Sequence, residues 1–318
     1  MALKRLGIPF EYWKTSDWDV NAVRSYKAIH HSDDNTDYSE ELSKEEVIQE
    51  LIRLCISADG KSPMTEQQIR RKGESWLRET YNNFKATHNL GSIVRICAED
   101  LAIERESKHI YVLTYSFPCT DLSLAGRQRG MNKGSGTASS LLWEIERILK
   151  ECAELNCLPD VCVLENVTQV HGKKNLDNWK AWLSILSNLG YHNYWQDMNS
   201  KNYGVAQNRD RTFCVSLLSD KPYIFPEPIP LEKRLKDYLM DEVPEEYYIN
   251  SEKAQKLIVE LVDKGVLPRE RERESKCGID LSTRGTDKRE IANAIKTAQR
   301  GIVNFAQAEN GVVESASD

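Results

Sequence analysis

Short apolar runs alternate with amphipathic stretches from the start of the chain to about residue 220. Runs rich in β-branched and aromatic residues predict strands, and apolar residues recurring every three or four positions predict helices. Phe10 to Thr15 reads as a strand that ends in Ser16, Asp17, Trp18 and Asp19. Ile110 to Phe117 reads as another and runs straight into Pro118 and Cys119. Ser140 to Asn156 predicts a helix, with Leu141, Leu142, Ile145, Ile148 and Leu149 on one stripe. Val161 to Leu164 predicts a short buried strand ending at Glu165, Asn166 and Val167. Trp179 to Leu189 predicts a helix stopped by Gly190, and Thr212 to Leu218 a further strand. This alternation is the signature of an α/β layered sheet.

Residues 32–90 break the rhythm and are polar. Two helices open there with capping boxes, at Ser43 with Glu46 and at Thr65 with Gln68, so the segment reads as a helical insertion. After residue 219 the composition changes, and Pro222, Pro226, Pro228 and Pro230 mark a boundary. The expected division is therefore 1–219 and 220–318.

Composition is that of a globular protein, with 40% hydrophobic and 29% charged residues. No apolar run approaches the ~20 residues that span a bilayer, and no signal core follows the N-terminus, which predicts a cytoplasmic protein without membrane contact. The eight cysteines include no Cys-x-x-Cys pair, so no metal site is expected. Cys97, Cys162 and Cys214 sit in apolar runs and read as small buried hydrophobes. The net charge of −6 excludes a general basic coat for a polyanion, leaving local basic clusters to serve that purpose.

Three segments stand at strand ends or adjoining loops, where open α/β sheets place their sites. They are Ser116-Phe117-Pro118-Cys119, Glu165-Asn166-Val167 and Gln207-Asn208-Arg209-Asp210-Arg211. Each alone has a bland reading, such as a helix cap for the Glu-Asn pair. In this order and spacing they resemble the DNA cytosine-5 methyltransferase family, with its Pro-Cys, Glu-Asn-Val and Gln-x-Arg-x-Arg motifs. Asp17-Trp18-Asp19 is similar to the second cofactor motif of that family. The loop from Asp121 to Gly130 and the helix start Ser139-Ser140-Leu141-Leu142-Trp143 extend the likeness.

The resemblance implies a Rossmann-like sheet of S-adenosylmethionine-dependent methyltransferases and methyl transfer to C5 of cytosine in double-stranded DNA. It also implies a bacterial or phage-encoded modification enzyme, with a cognate restriction endonuclease as an expected partner. Cys119 would be the nucleophile, Glu165 the acid at N3, and Arg211 with Arg209 the guanidinium donors that hold the base and the cysteine loop. Asn166 and Gln207 read as supports of these loops. A base inside a duplex cannot reach such residues, so the base is expected to flip out of the stack. S-adenosylmethionine would lie against Asp17, which suits the ribose diol, Trp18, which suits adenine, and Ser92, Pro118 and Leu142. Ser123, Arg127, Arg129, Lys133 and Gln207 are the expected DNA contacts.

The sequence departs from the family in places. No Phe-x-Gly-x-Gly loop precedes residue 17, so the first central strand is expected to be missing, and no closing Gly-Asn motif follows, which leaves a partial target-recognition region in 220–318. Thr120 stands where Gln is usual, Ser92 where Asp is frequent and Ala138 where Arg is frequent. Three alternatives stay open: an inactive family member that only binds DNA, a tRNA cytosine-5 methyltransferase, and a cysteine hydrolase pairing Cys119 with one of the six histidines.

Overall fold

Side chains able to accept a hydrogen bond from the first helical turn set where the early helices begin. In the computed structural model, which describes residues 5–105, 109–122, 129–238, 240, 244 and 252–264 with short strands beyond residue 277, Asp19 caps α1 (Val20–His30) through Asn21 N. Ser43 and Thr65 cap α2 (Lys44–Arg53) and α3 (Glu66–Arg70), and in both the capping box closes with Glu46 and Gln68. Helix α4 (Glu74–Ala86) completes the group. Val23, Val47, Ile48, Leu51, Ile69, Leu77 and Phe84 bury together as one core shared by these four helices.

The chain divides into two units. The first comprises Met1–Leu113, Arg129–Val161 and Ser184–Tyr191. Besides α1 to α4 it holds α5 (Leu142–Glu154), entered through a turn of 3₁₀ helix at Ala138–Leu141. The apolar stripe of α5 is buried as its spacing predicts, through Leu142, Ile145, Ile148 and Leu149. Glu146 lies on the same buried face, 3% exposed, and is held by Lys133 and Lys150 at 2.5 and 2.7 Å.

The second unit comprises Thr114–Gln128, Cys162–Leu183 and His192–Asp318. Its frame is a four-stranded sheet built from β1 (Val112–Tyr115), β2 (Val161–Asn166), β3 (His192–Asn199) and, after the two-residue β4 (Gln207–Asn208), β5 (Asp210–Leu217). The strand order is β1-β2-β5-β3. Strand β2 alternates strictly, with Cys162, Leu164 and Asn166 inward. Strands β3 and β5 pair antiparallel over eight residues, from His192 opposite Leu217 to Asn199 opposite Asp210. Helix α6 (Leu176–Asn188) buries Trp179 and Trp182, and Trp182 Nε1 donates to the Tyr115 hydroxyl at 3.2 Å. The mixed α/β class expected from the sequence is what the chain adopts.

Two expected details are corrected. Phe10 to Thr15 forms no strand. The segment is extended, but among the described residues only Thr15 finds a ladder partner, a single parallel bridge to Asn89. Its rings are engaged instead by other groups: Phe10 packs edge-on to Tyr12, and Trp13 Nε1 donates to the Leu101 carbonyl at 2.7 Å. Cys97 is half-buried in a loop rather than a strand, and its thiol donates to Asp100 Oδ2 at 3.2 Å, while Cys162 and Cys214 are buried as expected. Among the described residues no helix is long and apolar enough to cross a membrane.

Candidate active site

The sheet of the second unit brings its sequence motifs to one end. Glu165 and Asn166 close β2, and the Arg209–Arg211 segment opens β5, the next strand in the sheet. Arg211 Nε lies 2.9 Å from Glu165 Oε1, and Arg209 Nη2 lies 3.9 Å from the same oxygen. Arg211 also donates through Nη1 to the Asp210 carbonyl at 2.7 Å.

Cys119 follows β1 on a loop anchored from β2. Ser116 Oγ donates to the Glu165 carbonyl at 2.8 Å, and Asn166 Nδ2 donates to the Phe117 carbonyl at 3.0 Å. The same Asn166 side chain accepts from Val167 N, so one buried amide fixes both loops. Cys119 is half-buried, Pro118 before it is exposed, and the Cys119 carbonyl accepts from Leu122 N at 3.0 Å.

Burial of its guanidinium, and next the like charge of Arg209, push Arg211 below the ordinary arginine value. Glu165 and Cys119 act in the opposite direction. Arg211 thus lies against Glu165, and the Cys119 loop is tied to the same strand through Ser116 and Asn166. This arrangement can offer a thiol, a carboxyl proton donor or acceptor, and fixed cationic hydrogen-bond donors to one small planar ligand.

In the first unit, Asp17 and Ser92 are laced into one loop pair. Thr15 N donates to the His88 carbonyl, Leu90 N to the Thr15 carbonyl, and Ser16 Oγ to the Gly91 carbonyl at 2.9 Å. Asn89 Oδ1 accepts from Asp17 N at 3.3 Å and from Gly91 N at 2.7 Å. Asp17 is exposed but crowded on one side, and this partial desolvation raises its carboxyl above the usual carboxylate value. Trp18 is half-buried beside it, its carbonyl accepting from Ser57 N at 2.7 Å. Ser92 is buried, with its N–H on the Leu54 carbonyl at 2.9 Å. Leu142 is fully buried in the core at the start of α5. Arg147, one turn further along α5, donates to the Ile93 carbonyl at 3.1 Å and so ties the helix to the Ser92 segment.

Of the expected DNA contacts, Ser123 and Arg127 lie outside the described residues. Arg129 is exposed. Lys133 is committed to the buried Glu146 and lies 5.5 Å above the Trp143 ring. Gln207 is half-buried, its carbonyl accepting from Ser200 Oγ at 2.6 Å. Two residues not singled out by the sequence reading organise these motifs: Asn89, and Asn199 next to the arginines. Their only sequence signal is an Asn that breaks an otherwise unremarkable stretch.

The C-5 cytosine-specific DNA methylase family matches residues 56–300. The chain is 38% identical over 211 residues to the orphan methyltransferase M.SssI of Spiroplasma monobiae, covering 66% of this chain and 54% of that one. It is 32% identical over 253 residues to the type II methyltransferase M2.ScrFI of Lactococcus lactis subsp. cremoris, covering 79% and 67%. The match thus spans about half to two-thirds of the length of these curated relatives. Among solved structures, the S. pombe Dnmt2 methyltransferase is similar at a TM-score of 0.39, with 18% identity over 57% of this chain and 54% of that one.

Proposed function

Because the chain belongs to the C-5 cytosine-specific DNA methylase family, we propose that it takes part in methyl transfer to C5 of cytosine in DNA, with Cys119 as covalent catalyst. C5 of cytosine is too weak a nucleophile to attack a methyl sulfonium unaided. Addition of the Cys119 thiolate to C6, with a proton delivered to N3 from Glu165, converts the ring to an enamine that is nucleophilic at C5. After methylation a base removes the C5 proton, the Cys119 sulfur leaves C6 with its bonding pair, and N3 returns its proton to Glu165, restoring the aromatic ring. Arg211 and Arg209 hold the ring carbonyl and keep Glu165 in place. A cytosine in a duplex reaches these groups only when turned out of the stack.

S-adenosylmethionine supplies the electrophilic methyl group when bound. The donor set of the first unit fits its nucleoside half: an accessible carboxylate at Asp17 for the ribose hydroxyls, an indole at Trp18 for adenine, and Ser92 on the loop laced to them. Pro118 and Leu142 complete the proposed cofactor set, and Ser123, Arg127, Arg129, Lys133 and Gln207 the proposed DNA contacts.

The contact between Arg211 Nε and Glu165 Oε1 at 2.9 Å, beside the loop of the only cysteine preceded by proline, carries this reading. Incubation with DNA containing 5-fluorocytosine and S-adenosylmethionine tests it. A covalent adduct mapped to Cys119 is expected, because fluorine cannot leave as the C5 proton does. Cys119→Ala is expected to abolish the adduct and cut transfer by at least about 10³-fold. Full transfer by that variant, or labelling of tRNA in place of DNA, would overturn the assignment.

A further inference from the structure

Something must hold the two arginines at the start of β5, since a guanidinium on a flexible stem loses entropy when it is fixed. Asn199 ends β3 directly opposite Asp210 and is 8% exposed. Its Nδ2 donates to Asn208 Oδ1 at 2.8 Å and to Asp210 Oδ1 at 2.7 Å. Its Oδ1 accepts from Lys201 N at 3.1 Å. A side-chain amide has two N–H donors and one acceptor oxygen, and here every one is in use. The two residues it grips bracket Arg209, and the Asp210 carbonyl receives Arg211 Nη1.

We propose that Asn199 is a positioning residue for the reaction, because its buried amide clamps Asn208 and Asp210 and thereby aims Arg209 and Arg211 at Glu165. The proposal deepens the methyl-transfer reading and rests on it for its kinetic consequence. A cap on the turn at Ser200–Asn202 would need only the Asn199 oxygen, and Asp would serve equally well there. The two N–H bonds toward β5 are what a cap does not require. They also give the Asp210 carboxylate a neutral partner on the neighbouring strand, while both arginines lie toward Glu165.

Asn199→Asp separates the two roles. It keeps the oxygen for Lys201 N but sets an acceptor against the Asp210 carboxylate. In Asn199→Asp/Asp210→Asn, donor and acceptor change places, and the Asn208 amide can turn over to donate. Misplacement of catalytic groups by about 1 Å can cost about 10²-fold. We expect Asn199→Asp to lower kcat by about 30- to 100-fold, with KM for S-adenosylmethionine within about twofold. The double variant is expected to recover most of that loss.

A second measurement does not depend on turnover. The Arg211 Nε–H resonance in ¹H–¹⁵N spectra of the full chain should be slowly exchanging in the parent, averaged with solvent in Asn199→Asp, and restored in the double variant. An unchanged resonance in Asn199→Asp overturns the proposal, as does a kcat loss that follows a fall in Tm and is not recovered by the double variant. A parent chain that transfers no methyl group counts against the methyl-transfer reading alone, and the resonance then decides the role of Asn199.

Discussion

Arg211 contacts Glu165 through Nε and the Asp210 carbonyl through Nη1, two donors of one rigid plane. Lysine offers a single point of donation on a flexible stem and cannot reproduce both bonds. Arg211→Lys is therefore expected to lower kcat by about 10²-fold while the fold persists, measured by steady-state transfer beside a melting curve. Asp17 allows a prediction of the opposite kind. Partial desolvation raises its carboxyl in the folded chain, so the folded state holds that proton more tightly than the unfolded one. Its ionised form thus costs stability once the pH rises through the folded value, and the cost disappears below the ordinary carboxylate value. Asp17→Asn keeps an acceptor for Asp19 N and should be more stable than the parent at neutral pH, with the difference closing in acid. Urea unfolding at several pH values checks the stability, and titration with S-adenosylmethionine should show binding lost. An equal difference at all pH values would refute the desolvation account. That Glu165 and the arginines belong together was legible because each sits in a short contiguous motif. Asn89 and Asn199 were not, since a lone Asn acquires meaning only from partners that folding brings to it.

Element boundaries followed the chemistry of helix starts more closely than that of strands. Both capping boxes form, α5 buries its expected stripe and α6 forms where a helix was expected, because a cap and a 3.6-residue period are local properties. A strand needs a neighbour that its own sequence does not contain. Phe10 to Thr15 has the composition of a strand without the ladder. His192 to Asn199 has a full ladder with β5 but a polar, exposed pattern that hides it. Loop packing is equally invisible until the chain folds. Gly91 has φ +76°, and a Cβ there would stand 2.2 Å from the Leu54 carbonyl oxygen. Backbone cannot yield as a side-chain tip can, so Gly91→Ala is expected to cost about 3 kcal/mol or more by denaturant unfolding. On α5, burial alone would raise the Glu146 carboxyl, but hydrogen bonds from Lys133 and Lys150 outweigh it and hold the group below its usual value. Its stabilising contribution is complete above the unfolded value and lost as the pH falls through the folded one. Glu146→Gln should cost about 1–2 kcal/mol at neutral pH, less than a fully buried pair because both ammonium groups reach solvent. The deficit should vanish in strong acid.

Over the whole chain, 43 basic residues face 49 acidic ones, a net charge of −6 that repels a polyanion. The proposed DNA binding must then rest on a few local cations, and the sequence nominates three in one loop, Arg127, Arg129 and Lys133. Lys133 enters that set only in part, because it shares the one negative charge of the buried Glu146 with Lys150. On the proposed contacts, between two and three phosphates are neutralised on binding. Each releases condensed counterions, and the logarithm of affinity falls against that of salt with a slope of about −0.9 per phosphate. Two contacts give a slope near −1.8 and three near −2.7. Raising salt from 50 to 200 mM should then weaken binding by about 10- to 40-fold, whereas a protein that grips many phosphates loses about 10³-fold or more. Fluorescence anisotropy with a labelled duplex across that range measures the slope directly. Lys133→Ala should make it shallower by less than one, and Arg129→Ala by about one. A slope steeper than about −5 would mean that the DNA contacts lie elsewhere on the chain, in cations this reading has not named.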